Sequence, residues 1–226
     1  MKKLLIILSL IVLAMGPVTT FAADKAGIPE YTVEGLKLVP DTKDIALVWA
    51  EPGANLAQYK RINLVEPVVA FKKNWRKDQN RSSAVRVTAH DMDRIKAEVG
   101  KLFVEVFTEE LTAGGYSLTT ERAEDVLTVK PAILDLDVKA PDTHSASRGG
   151  SFVTSAGSMT LYLELYDSET NDLLAKALDP TADRESSLHQ YQSGAANRQA
   201  AKRMMKPWAE ALRKGLDKAR EASPEE

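Results

Sequence analysis

The chain has no cysteine among its 226 residues. That absence excludes disulfides, thiolate metal sites, cysteine nucleophiles and a lipidated N-terminal cysteine, so the fold must rest on its core even in an oxidising compartment. Histidine is nearly as scarce: His90, His144 and His189 fall in three separate segments, none in an H-x-x-x-H or H-E-x-x-H spacing that puts two ligands on one helix face. No G-x-S-x-G elbow occurs to present a nucleophile, and no G-K-[ST] to cradle a nucleotide phosphate. Basic charge is not in excess either. The formal net charge is −2, so no global field attracts nucleic acid.

What is present begins with a leader. Met1-Lys2-Lys3 supplies a positive n-region and Leu4 to Met15 an apolar h-region, interrupted within it only by Ser9, which Gly16 and Pro17 end. That run is well short of the roughly 20 residues a bilayer span requires, so a cleaved signal peptide over 1–22 is expected rather than an anchor. Thr20-Phe21-Ala22 places small residues where a signal peptidase reads, predicting cleavage after Ala22, with Ala23 as the near alternative. The remaining 204 residues carry 28 basic and 32 acidic side chains, a net of −4, and no further apolar segment of spanning length. A periplasmic protein without a lipid anchor is the expectation.

Residues 23–43 mix charge, glycine and proline and read as a linker or loosely packed arm, followed by one domain over 44–222 and a disordered tail at 223–226. Ile45, Leu47 and Trp49 alternate as in a strand. Tyr59 to Phe71 is strand-like but interrupted by Pro67, which predicts an edge or a bulge. Ala89 to Ala113 is the clearest helix, with Thr88 and Asp91 spaced as a capping box and Gly114-Gly115 as the stop. Its apolar stripe, Ile95, Val99, Leu102 and Val106 flanked by Phe103, Phe107 and Leu111, is wide enough to cover a sheet.

Strands follow at Tyr116 to Thr120 and Val126 to Lys139. In the second, Ala132, Leu134, Leu136 and Val138 are predicted on one face, with Asp135 and Asp137 on the other. Residues 141–157 are Ser, Gly and Thr rich and read as a long flexible loop. Met159 to Tyr166 and Leu173 to Asp179 make a β-hairpin, and a helix runs to about Ala222, kinked or restarted at Pro207. This order gives an α+β fold: a mixed, mainly antiparallel sheet of about five strands with two main helices packed on one face.

The run Ala156-Gly-Ser-Met-Thr-Leu-Tyr-Leu-Glu-Leu-Tyr-Asp167, followed by Ser168 to Ala175, Asp179 to Arg184 and Trp208 to Arg213, resembles the bacterial exported family called domain of unknown function 3313. The layout is more distantly similar to small periplasmic domains of outer-membrane accessory proteins, such as the peptidoglycan-synthase activators and the curli secretion lipoprotein. Those resemblances imply an interaction module in the envelope. Many members of the family are lipoproteins, and this chain departs from them in lacking the cysteine.

Several clusters invite chemistry and have plainer accounts. His90 with Asp91 and Asp93 fits a solvated helix start, where carboxylates face the positive end of the dipole, better than a metal site. Asp135 and Asp137 are expected on one strand face at roughly 7 Å, but simple alternation explains them without a glycosidase pair. Tyr162 and Tyr166, flanking Glu164, suit either an exposed recognition face or packing under the C-terminal helix; packing is the expectation. The concentrated basic patch is Lys72, Lys73, Arg76, Lys77 and Arg81 around Trp75, offset by Asp78. A solvated loop accounts for it, yet it is the strongest pointer to a partner: another envelope protein or an anionic envelope component.

No cofactor, metal or catalytic residue is expected. The leading expectation is therefore a non-catalytic envelope interaction module. A carrier of a small or lipidic ligand, marked by a sizeable apolar cavity beneath the helix containing Phe103 and Phe107, is the alternative, and an envelope hydrolase the remote one. N-terminal sequencing of the exported protein should read from Ala23, and Ala22→Arg should leave the unprocessed precursor in the membrane fraction; a mature start elsewhere than Ala23 or Asp24 contradicts the reading.

Overall fold

The computed structural model describes residues 27–82, 86–139, 151–153, 157–182, 190–192 and 194–222. The expected leader with Ala22 and Ala23, most of the 141–157 loop, His144, His189 and the 223–226 tail lie outside the described residues. In chain order the elements are β1 (Lys37–Leu38), β2 (Leu47–Ala50), β3 (Arg61–Leu64), β4 (Val68–Phe71), α1 (Trp75–Ser82), α2 (Ala89–Ala113) and β5 (Ser117–Leu118). They continue with β6 (Val126–Val138), β7 (Ser151–Val153), β8 (Gly157–Asp167), β9 (Leu173–Ala182), β10 (Gln190–Gln192) and α3 (Gly194–Ala222).

The α+β class is as expected; the strand and helix counts are not. The main sheet has eight strands in the order β1-β2-β9-β8-β6-β3-β5, with β4 also on β6, and β7 and β10 form a separate antiparallel pair. The difference from five arises at short strands. Pro67 splits the predicted 59–71 strand into β3 and β4, which lie end to end along one edge of the thirteen-residue β6, both parallel to it. β8 covers the opposite edge of β6 antiparallel, and β9 and β2 extend the sheet beyond it.

Residues 23–43, expected as a linker or arm, are tied to the sheet from Pro29 onward. β1 pairs with β2, Tyr31 bridges Lys37, the Trp49 indole N–H donates to the Pro29 carbonyl at 3.0 Å, and Glu34 meets Lys176 at 2.6 Å. Too few apolar positions fall there for periodicity to register the strand. Only Leu36 of this segment is buried among the described residues.

The α2 expectation holds at both ends. The Thr88 hydroxyl accepts from the Asp91 amide while the Asp91 carboxylate accepts from the Thr88 amide, closing the capping box. At the far end Gly115 takes φ +82°, which a side chain would resist. α3 runs unbroken through Pro207, although a proline forfeits one helical hydrogen bond. Met204, Met205, Trp208 and Ala209, buried on either side of it, hold the helix to the core. The Trp208 indole N–H also donates to Asp179 on β9 at 2.7 Å, and the same carboxylate accepts from the Ala46 amide.

Both long helices pack on one face of the sheet. They run in the same direction, because Glu105 pairs with Arg198, Glu109 with Lys202 and Glu110 with Arg213 as both sequences advance. Beneath them Phe103 and Phe107 stack with ring centroids 3.9 Å apart, fully enclosed with Leu102, Leu111, Ile133, Leu161 and Met205. Phe103→Ala should cost about 3–5 kcal/mol, and a thermal melt by circular dichroism should fall by on the order of 10 °C.

Candidate functional site

The site begins with a defect in β6. Leu134 pairs with Thr160 and Asp137 with Ser158, so two β6 residues, Asp135 and Leu136, oppose the single Met159 of β8. Asp135 is the extra residue, at φ +50° and exposed. The bulge shifts the phase of the strand. The expected shared face of Asp135 and Asp137 is therefore not found: Asp135 meets solvent, whereas Asp137 is buried and held by Lys139 at 3.0 Å and Lys72 at 3.6 Å. Leu136, not Ala132 or Leu134, joins Ile133 in the core.

Beyond the bulge, pairing continues to Val138 opposite Gly157. Gly157 has φ +143°, and a Cβ there would sit 1.9 Å from the Asp137 carbonyl oxygen. Glycine is thus required for β8 to start this close to β6.

At this end the helices stand off the sheet and leave a cavity of about 430 Å³. α2 lines it with Arg94, Ile95, Glu98, Val99 and Leu102, positions that share one helical face, and α3 with Asn197, Arg198, Ala201 and Met204. Leu136, Asp137, Val138, Gly157, Ser158 and Met159 form the sheet wall. The apolar groups are aliphatic or thioether. The charged ones are ion-paired: Arg94 reaches Glu98 at 3.1 Å, Arg198 pairs with Glu105, and Asp137 sits between its two lysines. A cavity beneath α2, the helix containing Phe103 and Phe107, is present as the alternative expects; it lies beside Leu102, and the two phenylalanines themselves are fully enclosed.

The basic patch is real, and its aromatic centre is not where the sequence put it. Lys72, Lys73, Arg76, Lys77 and Arg81 are exposed around α1, a helix rather than a loop, while Trp75 is only 3% exposed. Its ring stacks on Phe71 at 4.2 Å, and its indole N–H donates to the Val138 carbonyl at 3.2 Å. A tryptophan amid five cations looks solvated in one dimension. In the fold it is the foot that fixes α1 to the end of the sheet.

The helix-free face holds a second polar cluster. Tyr162 and Tyr166 do not pack under α3; both donate to Glu164, at 2.5 and 2.8 Å, with Lys176 beside it and the Lys130 ammonium 3.9 Å from the Tyr166 ring centre. Burial pushes the Glu164 carboxyl up, but its hydrogen bonds from the two phenols and the Lys176 charge together hold it below the usual range. His90 is exposed at the start of α2, and among the described residues no three His, Cys, Asp or Glu side chains cluster to hold a metal.

The residues of the cavity wall were legible as core but not as a void. Val99 and Leu102 fall on the predicted stripe of α2, yet no periodicity states that facing side chains fail to fill the space between them. The faint signal is the small residues Ala201 and Gly157.

Comparison with known proteins adds the following. A family model described as "Protein of unknown function (DUF3313)" matches residues 31–212. No curated protein matches the chain. Among solved structures, the PelC dodecamer from Paraburkholderia phytofirmans is 12% identical, with 74% of this chain and 96% of that one covered and a TM-score of 0.39. Protein XCC0632 from Xanthomonas campestris, of family DUF330, is 13% identical over 73% and 86% at 0.41. A DUF4136 family protein from Bacteroides thetaiotaomicron is 10% identical over 79% and 98% at 0.32. Likenesses this distant bear on neither assembly nor ligand.

Three tyrosines brace the frame around these sites. Tyr59, Tyr116 and Tyr166 are each pushed up to about 12, first by burial and then by the carboxylate each phenol donates to, Asp167, Asp217 and Glu164. A raised folded value favours the protonated phenol, so their stabilisation is full below the unfolded value near 10 and is lost as pH rises towards 12. An ultraviolet tyrosinate titration should show these groups ionising late, together with loss of the circular dichroism signal; titration of every tyrosine near pH 10 with the fold intact contradicts it.

Proposed function

The chain belongs to the DUF3313 family of unknown function, and from that premise we propose that it is a non-catalytic binding protein of the periplasm that holds a hydrocarbon chain between its helices and its sheet. The observation that carries this is the cavity of about 430 Å³ walled by Ile95, Val99, Leu102, Val138, Met159 and Met204. Its volume lies within the range of small-molecule sites, about 300–1,000 Å³. Water gains little from such a wall, whereas each methylene transferred into it contributes about 0.8 kcal/mol. The polar groups stand among the lining as ion pairs, suited to orient a head group at one end.

Binding rather than turnover is supported by how the carboxylates are committed. Asp137 is paired with Lys72 and Lys139, and Glu98 with Arg94, so each carboxylate is committed to an ion pair. The location in the periplasm is supported by the Lys2-Lys3 leader and its Ala22 boundary.

The test uses residues 23–226, which include every described residue. A fluorescent fatty acid should bind saturably at one site per chain and be displaced by unlabelled fatty acids, with affinity improving about fourfold per added methylene until the cavity is full. Ala201→Trp should fill the space and weaken binding at least tenfold without lowering the thermal melt. Absence of saturable binding, or equal binding by the variant, defeats the reading.

A further inference from the structure

The cation cluster on α1 is built as a surface, and its geometry is separate from the interior of the cavity. Trp75 and Gln79 lie on one side of the helix and both donate to the Val138 carbonyl, while Asn80 clasps both the amide and the carbonyl of Val87 at 2.6 and 3.1 Å. These contacts pin the inner side of α1 to the end of the sheet and to the entry of α2. The outer arc is left to Lys73, Arg76, Lys77 and Arg81, all exposed and none ion-paired among the described residues, with the exposed Asp78 beside them as a single offsetting charge on the helix. Arg86 is exposed at the next turn of chain, and Lys72 and Lys139 extend the cationic edge to Asp137 on the cavity wall.

We infer that this end of the molecule docks on an anionic phospholipid surface through the outer arc of α1. Charge complementarity is the first argument: the cations cluster at one end of a chain whose exported form is net −4, so a negative plane attracts this end and repels the rest. The kind of partner follows from what the patch lacks. A protein interface concentrates its energy in desolvated aromatic anchors, and here the one aromatic residue of the patch is buried beneath it. A field of phosphates needs no such anchor. Long, mobile cationic side chains on a rigid arc suffice, each strengthening partition by roughly fivefold close to the surface at low salt.

The experiment is vesicle sedimentation with residues 23–226, so that the apolar leader contributes nothing. Binding is expected to vesicles of phosphatidylglycerol mixed with phosphatidylethanolamine, to be absent on phosphatidylcholine alone, and to be lost in half-molar salt, where charges are screened within a few ångström. Substituting Lys73→Gln, Arg76→Gln and Lys77→Gln together should weaken partition on the order of 100-fold. Lys60→Gln with Lys218→Gln, exposed cations near the C-terminal end of α3, should leave it unchanged. Should the triple variant lose its circular dichroism signal, Arg81→Gln with Arg86→Gln tests the same arc.

Equal binding to both vesicle types, persistence in high salt, retention by the patch variants, or binding to lipopolysaccharide but not to phospholipid would overturn the inference. Fatty-acid binding in solution, measured on the same variants without vesicles, should not change. The two proposals therefore fail separately.

Discussion

β6 carries neighbours on both edges along nearly its whole length, antiparallel β8 on one side and β3 followed by β4 on the other. Keeping both ladders over thirteen residues while the sheet twists demands a correction, and the bulge at Asp135 supplies it. From that one residue the rest follows. It turns Leu136 into the core, carries Asp137 to the cavity wall, and leaves the Val138 carbonyl free to receive Trp75 and Gln79 of α1. Gly157 is its counterpart, since only a residue without Cβ can sit opposite the carbonyl that the bulge has pushed forward.

The two long helices meet each other across charge pairs, while their inner sides meet the sheet with apolar side chains. α2 presents Glu105, Glu109 and Glu110 to Arg198, Lys202 and Arg213 of α3. Exposed pairs such as the first two each contribute little to stability, but their common step of four residues fixes the register and direction of two parallel helices, and the half-buried pair of Glu110 with Arg213 lies further along the same direction. Below that seam the core closes over Phe103 and Phe107. Towards the helix starts it does not close, and the opening lies where Ala201 and the first residues of β8 are too small to meet across the gap.

Much of this architecture was legible because it is local. The capping box at Thr88 and Asp91, the stripe from Ile95 to Leu111, and the alternation of Met159, Leu161, Leu163 and Leu165 are written in residues near one another, and the fold honours all of them. Three features were not legible, each for a nonlocal reason. The strand at Lys37–Leu38 exists because β2 offers it an edge. The phase change at Asp135 exists because β8 and β4 both demand pairing. The cavity depends on volumes contributed by four elements far apart in sequence.

Trp75 shows the same limit most sharply. Flanked by Lys72, Lys73, Arg76 and Lys77, it reads as the aromatic centre of an exposed patch. The turn at Asn74, with φ +65°, starts a helix whose first residue points inward, onto Phe71, while the next two point out. A single tryptophan thereby does two things that sequence could not separate: its burial makes α1 rigid, and its removal from the surface leaves a patch of charge alone. The inferred docking on a phosphate-bearing surface rests on this arrangement, because a rigid charged arc with its one aromatic residue buried suits a partner recognised by charge density rather than by shape.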